Sequence, residues 1–411
     1  MRGDLAFALL MEAFVRSFAD GDTAVAAIVA ADAAAVGGRA PATFDDPPPN
    51  EQLLALVELA TALAPPDDPE VAAHVTAAAA WNVRPRPLEP DPALADRALA
   101  QARDLDDPVL ISGALDLVAA AASAEGRFKD ASRLTAERLG LVHRMRRHDP
   151  RAGGEVVDIF HMGMEAAMAA GELPAALAAA RRAHEDSLEQ GFGHFAATHL
   201  VVPLALRGAF DEAAMYAEVM REGWERTGRP AAGWMAPSFL AAALVHGLRG
   251  DADTYRDWWS VAEVVRVNAR ENGFSDFVGA RIALHQGDID AAVAMITTSS
   301  DITCAQYTAY AEAMAVEIAI VAGLPDAEGR LERAAPLGIE NDFVAACLLR
   351  ASGRLHDDEA TLTRAVASWE QLGARFERAC TLLLVPSRRD EGRRELAALR
   401  CAAPGEPTAR H

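Results

Sequence analysis

Aromatic residues are scarce in this chain, cysteines are scarcer, and no apolar run is long enough to span a bilayer. Phe, Trp and Tyr make up 6% of 411 residues, so the 51% apolar fraction rests largely on alanine and the aliphatics. Alanine is the strongest helix former and lets helices approach closely, which points to a tightly packed helical core. The four cysteines, Cys304, Cys347, Cys380 and Cys401, lie far apart with no C-x-x-C spacing. That excludes a cysteine-metal ribbon and a disulfide framework, and each reads as a small buried apolar residue in a reducing compartment. The N-terminal run "MRGDLAFALLMEAFVRSFADGD" carries Asp4, Glu12 and Arg16 among Leu5, Leu9, Phe14 and Phe18 at helical spacing. It reads as an amphipathic first helix rather than a signal peptide, and the expected location is cytoplasmic, without membrane contact. Basic residues are also in deficit, 39 Lys and Arg against 60 Asp and Glu for a net charge of -21. Such a surface repels phosphate backbones and disfavours direct nucleic-acid binding.

Catalytic constellations are missing as well. No G-x-x-x-x-G-K-[ST] phosphate loop, nucleophile elbow or Ser-His-Asp order occurs, and the glycines of "AVGGRAP" before Arg39 form no usable motif. His194 and His199 are five apart, as are His143 and His148. That spacing separates two side chains by about 140° on a helix, unlike the one-face pair of a zinc site. The expectation is therefore no catalytic residue, no metal and no cofactor.

What the chain does have is repetition. "EGRFKDASRLTAERL" from 125, "AGELPAALAAARRA" from 170, "RGAFDEAAMYAEVM" from 207 and "QGDIDAAVAMI" from 286 each place an apolar residue two after a Gly and an Ala five after it. The Gly falls where one helix ends in a left-handed residue, and acidic residues such as Asp211 and Glu212 follow in the first turn of the next. The Ala marks a close helix crossing. With Gly21, Gly250 and Gly329 added as weaker copies, the period from Gly126 onward is about 40 residues, the length of a helix pair with its turns. A second mark, at Leu139-Gly140, Gln190-Gly191, Asn272-Gly273, Leu337-Gly338 and Leu372-Gly373, reads as the end of each second helix. The fold class is all-α, a right-handed α-solenoid of about nine tetratricopeptide-like helix pairs. Residues 1–91 form irregular repeats interrupted by proline, with short helices expected at 51–64 and 69–81. A regular array occupies 92–385. A capping helix and a frayed tail make up 386–411, where Arg388, Arg389, Arg393, Arg394 and Arg400 alternate with Asp390, Glu391 and Glu395 as intrahelical ion pairs.

The Gly-x-apolar-x-x-Ala mark, "ALADRALAQARDLDDPVLISGAL" and "AVASWEQLGARFERACTLLL … GRRELAAL" resemble the tetratricopeptide-like region of large actinobacterial LuxR-type and adenylate-cyclase-associated regulators over residues 92–400. The resemblance implies an array that receives an inducer or partner protein. The family's P-loop module has no counterpart, and too few residues follow position 373 for its helix-turn-helix. The resulting expectation is a non-enzymatic regulatory or scaffold protein that holds a protein, peptide or small inducer on the concave face. A small-molecule receptor or enzyme with a pocket in the groove is the alternative. First helices line the concave face of such arrays, so the candidate contacts are His161, His199, Trp234, Trp258, Trp259, Asp276, Arg281 and Tyr307. The adjacent Trp258 and Trp259 point about 100° apart on a helix, so both cannot be core.

Overall fold

The computed structural model describes residues 3–82, 89–146, 148–186, 193–230, 232–265, 272–298 and 305–405. The described residues hold 22 α-helices and no strand. Neighbouring helices pack in pairs, and the chain is an all-α helical-repeat array of the solenoid type. It divides into two compact units, Met1–Gly163 and Met164–His411.

The first unit contains α1 (Gly3–Ala19), α2 (Thr23–Arg39), α3 (Asn50–Leu63), α4 (Pro69–Asn82), α5 (Pro92–Leu105), α6 (Pro108–Ala124), α7 (Phe128–Leu141) and most of α8 (Pro150–Ala169). The helices expected between the prolines form close to the expected positions, because proline fits the first turn of a helix, where its missing N–H is no loss. The Asp-Pro pairs work together: Asp91 and Asp107 cap the helices whose first residues are Pro92 and Pro108. In this unit α2, α4 and α6 stack on one another, and their neighbours pack outside them. The boundaries at 91/92 and 385/386 come from proline density and composition, whereas spatial packing divides the chain inside α8.

The second unit continues with α9 (Leu173–Glu185), α10 (Gly193–Leu206), α11 (Phe210–Arg226), α12 (Ala236–Leu248), α13 (Ala252–Val265), α14 (Asn272–Gln286), α15 (Ile289–Thr298) and α16 (Ala305–Val321). After these come α17 (Ala327–Ala334), α18 (Leu337–Glu340), α19 (Asp342–Leu355), α20 (Glu359–Leu372), α21 (Arg375–Leu382) and α22 (Arg389–Ala398). The first helices α10, α12, α14, α16 and α19 stack consecutively. The first four of these have no pronounced polar face, and every residue of α12 except His246 is buried. The second helices α11, α13 and α20 are amphipathic and keep a charged outer face, as expected for the outer layer of two.

The repeated glycine turns form as the sequence implies. Gly21, Gly126, Gly171, Gly208, Gly250 and Gly287 all have φ between +69° and +78°. At each turn the next residue donates its N–H back into the helix, as in Arg127 to Ala122 O and Ala209 to Leu204 O, both at 2.9 Å, the bonding of a Schellman cap. The alanines five residues on, Ala26, Ala131, Ala176, Ala213 and Ala292, are buried to within 1%. Two expectations are corrected. Gly329 lies inside α17, and the turn glycine there is Gly323, φ +65°, because Pro325 stops the helix from starting earlier. Of the second marks among the described residues, only Gly373 is left-handed. Gly140, Gly273 and Gly338 sit within helices, and Gln190-Gly191 lies outside the described residues. Gly273 and Gly338 serve close approach instead: a Cβ would meet the Tyr307–Thr308 backbone at 3.0 Å in one case and Ala345 Cα at 3.1 Å in the other.

The C-terminal quarter docks along this row of turns. Asp342 N–H donates to Ala170 O at 2.9 Å, beside Gly171. Arg375 N–H donates to Arg207 O at 3.2 Å, beside Gly208, and Gly405 N–H to His285 O at 3.0 Å, beside Gly287. Between these two, Arg249 Nε donates to Leu399 O at 3.2 Å. The expected fraying of the tail is thus corrected as far as Gly405: Leu399 and Cys401 are buried, and residues 406–411 lie outside the described set. The reason is apolar surface on Leu396, Leu399 and Cys401, which repays ordering a short segment.

Candidate functional site

The inner row of the second unit reaches solvent at a cleft of about 200 Å³. Its floor is Ala280 of α14 with Ala311 and Ala315 of α16. Met295 and Ile296 of α15 form one wall, and Arg330 of α17 stands in another. Asp276 and Glu312 add two carboxylates. The small side chains of α14 and α16 leave the floor low. Arg330 Nε donates to Asp326 at 2.8 Å, which holds its guanidinium in place. The cleft brings a few small apolar side chains together with charges of both signs, and its volume of about 200 Å³ is below that of most small-ligand sites.

Of the residues singled out from sequence, only Asp276 lines this cleft. Trp259 lies close by: a Cβ on Gly279 would meet both Met295 Sδ at 3.3 Å and the Trp259 ring at 3.6 Å. Its indole donates to Glu263 at 3.2 Å, and the ring is partly exposed. The adjacent Trp258 is buried against Phe239 and under the Arg221 guanidinium. This pair divides between core and surface as the helical angle requires.

His199 and Trp234 do come together. Phe195 packs on both rings with centroids 4.7 Å away, and His199 and Trp234 are 6.4 Å apart. His199 is fully buried, while Phe195 and Trp234 are partly exposed. Tyr307 belongs to the core, its ring tilted against Phe274 at 4.8 Å and its hydroxyl 3.3 Å from Glu165. His161 is a partly exposed residue of α8 in the first unit. The picture of these residues lining one open concave surface is therefore corrected: Trp258 lies on a second helix under Phe239 and Arg221, His199 packs on Phe195, Tyr307 packs on Phe274, and Arg281 is covered by the C-terminal quarter through Glu377.

Arg281 is an ion-pair residue. Its Nε donates to Glu377 at 2.8 Å, and Arg350 bonds the same carboxylate at 2.6 Å while pairing with Glu317. Burial alone would raise the Glu377 carboxyl, but Arg281 and Arg350 outweigh it and hold it at about 2. His285, one helical turn beyond Arg281, is pushed down to about 4 by burial and by that guanidinium, and is neutral at pH 7. Cys347 and Cys380 lie against this network with thiols raised mainly by burial, which makes them unreactive.

The first unit has a second buried network that sequence reading missed. Arg39 at the end of α2 reaches Asp116 at 2.7 Å, Glu155 at 2.8 Å and Asp158 at 2.5 Å. Arg138 of α7 pairs with the same three carboxylates, and Ser112 donates to Glu155 at 2.5 Å. One signal was available: Asp116 is the only charged residue in the otherwise apolar α6. Among the described residues, no group of three or more His, Cys, Asp or Glu could hold a metal ion, and no helix is long and apolar enough to cross a membrane.

No family model matches the chain, and no curated protein matches it. Among solved structures it is similar to one titled "Structure of phAimR-Ligand", at 10% identity over 82% of this chain and 97% of that one, with a TM-score of 0.45.

Proposed function

We propose that this protein is a non-catalytic regulatory receptor or scaffold of the cytoplasm, in the manner of the LuxR-type regulators whose repeat region it resembles. Its ligand is a short peptide or a peptide-like inducer held in the cleft between α14, α15, α16 and α17. The observation that supports the reading is that Asp276, Glu312 and Arg330 line one cleft together with Ala280, Ala311 and Ala315. A molecule with an amine at one end, a carboxylate at the other and a small apolar body matches that arrangement. The negative net charge favours a partner with a basic surface for the downstream step.

The test is a thermal-shift screen of short zwitterionic peptides beside a metabolite set, followed by calorimetric titration of the hits. Glu312 is exposed, so Glu312→Lys leaves the fold intact. The expected outcome is a stabilising peptide whose shift disappears in Glu312→Lys and in Arg330→Glu. Stabilisation only by a metabolite that the protein then converts would replace this reading with an enzyme.

A further inference from the structure

We propose that a second cleft, between the start of α9 and the docked C-terminal quarter, binds an alkylammonium group and thereby holds that quarter in place. Its volume is about 390 Å³, larger than the cleft at Asp276 and within the range of small-ligand sites. The first turn of α9 contributes Pro174 and Ala175, α19 contributes Ala345, and the end of α20 contributes Leu372. Two acidic residues, Glu172 and Asp342, also line it, and no Lys, Arg or His does. The charged groups of the lining are therefore all of one sign. Acidic residues at helix starts are often caps, but neither has that role here. Glu172 makes no side-chain cap hydrogen bond to α9. The start of α19 is capped instead by Asn341, whose Oδ1 accepts the Val344 N–H at 2.9 Å.

Charge selects the occupant. An anion meets two carboxylates and no base, whereas a primary ammonium brings three N–H donors and makes charge-assisted bonds to carboxylates. An aliphatic stem behind it matches the apolar side chains of Pro174, Ala175, Ala345 and Leu372. A free alkyl diamine and a lysine side chain of a partner both carry this chemistry. The lining comes from stretches far apart in the chain, 172–175 and 342–372. They are already tied together nearby, where Asn341 Nδ2 donates to Ala169 O at 2.8 Å. A ligand that touches both stretches binds only while they are together, so it stabilises the docked arrangement. The site stands independently of the ligand assigned to the cleft of α14, α15, α16 and α17.

Ligand-observed NMR titration of the full chain tests the proposal, with cadaverine as the free amine, acetyl-lysine methylamide as the lysine side chain and pentanol as the uncharged control. The expected result is binding of an amine at about 1 mM, the weak range that partly exposed ion pairs allow, and none of pentanol. Cadaverine alone identifies a free amine; binding of both identifies a lysine side chain. Glu172→Gln should weaken binding about threefold or more. Gln371 is exposed and lines the cleft, so Gln371→Lys supplies a tethered ammonium of its own. It should abolish binding of added amine while the melting temperature stays at or above that of the parent. Saturating amine should also slow limited proteolysis near residue 340. The proposal is overturned if neither amine binds, if pentanol binds equally well, or if Gln371→Lys leaves amine binding intact. Loss of amine binding in Glu312→Lys instead would place the amine in the other cleft and equally overturn it.

Discussion

Each unit of this molecule buries a network of charges, and the two are balanced differently. In the second unit, Arg281 and Arg350 face Glu317 and Glu377, two charges of each sign. In the first, Arg39 and Arg138 face Asp116, Glu155 and Asp158, which leaves one carboxylate in excess. The consequence shows in the acids. Glu377 is held at about 2, whereas Asp116 is raised above its ordinary value, because burial there outweighs the attraction of Arg138 and Arg39. Glu155, in the same cluster, is still held at about 2 against its burial by both arginines. Two carboxylates of one cluster thus shift in opposite directions, so the outcome depends on each group's own partners and not on burial alone.

The sharpest way to break this comparison is to remove one acid from each network. Glu377→Gln strips Arg281 of the carboxylate it pairs with and leaves Arg350 only Glu317; it should cost about 3 to 5 kcal/mol in urea unfolding. Asp116→Asn leaves both arginines two carboxylates each and should cost about 1 kcal/mol or less. Equal losses would show that the surplus acid has no consequence. The tryptophan pair gives a second contrast of similar size. Trp258→Ala should cost about 3 to 5 kcal/mol through the cavity it leaves, and Trp259→Ala, at the surface, less than about 1 kcal/mol.

Two turn glycines, one from each unit, give a third contrast. At Gly126 an added Cβ meets nothing within 4 Å, so Gly126→Ala should cost only the left-handed backbone, about 1 kcal/mol. At Gly171 it would lie 2.2 Å from Asn341 Oδ1 and 2.5 Å from the Phe343 nitrogen, so Gly171→Ala should cost several-fold more and loosen the docked C-terminal quarter. Limited proteolysis near residue 340, run beside the melts, reads that loosening.

The smallest expected effect is a pH dependence of opposite sign. His285 in the second unit has its pKa depressed to about 4 by burial and Arg281, so its contribution is present above pH 6.5 and is lost as pH falls from 6.5 through 4. His74 in the first unit is raised: burial works against the charge, but Asp32 at 2.6 Å outweighs it. Its contribution is fully present below pH 6.5 and is lost as pH rises through the folded value. Fluorescence-detected urea titrations at pH 7.5, 6 and 5 would separate the two. Five of the six tryptophans, Trp224, Trp234, Trp258, Trp259 and Trp369, lie in the second unit, and Trp81 alone in the first. The second unit should weaken on acidification and the first should not, and His285→Gln should flatten the second unit's response.

Local chemistry made much of the fold legible. Proline density announced the short helices near the N-terminus, the Gly-x-apolar-x-x-Ala mark announced the hairpins, and its period of about 40 residues announced an array of helix pairs. These are properties of a turn or a single helix, set by neighbours in sequence. The candidate site was legible only in part. Asp276 stood out as a polar residue on a first helix, but Glu312 and Arg330, its counterparts in the cleft, come from α16 and α17 and carry no mark of their own.

What the sequence by itself determined was the repeating unit: helix lengths, turn glycines and close-packed alanines, all fixed by backbone sterics and side-chain size over a few residues. Only the tertiary structure decided which surfaces stay open. The stretch from Asn341 to Gly405 runs along the turns at Gly171, Gly208 and Gly287 and brings Glu377 to Arg281, 96 residues away. Contacts of that range depend on how successive hairpins stack, and small rotations at each crossing accumulate along the array. The same residue can therefore be groove or core with no change in its local sequence, as Tyr307 and Arg281 are core here.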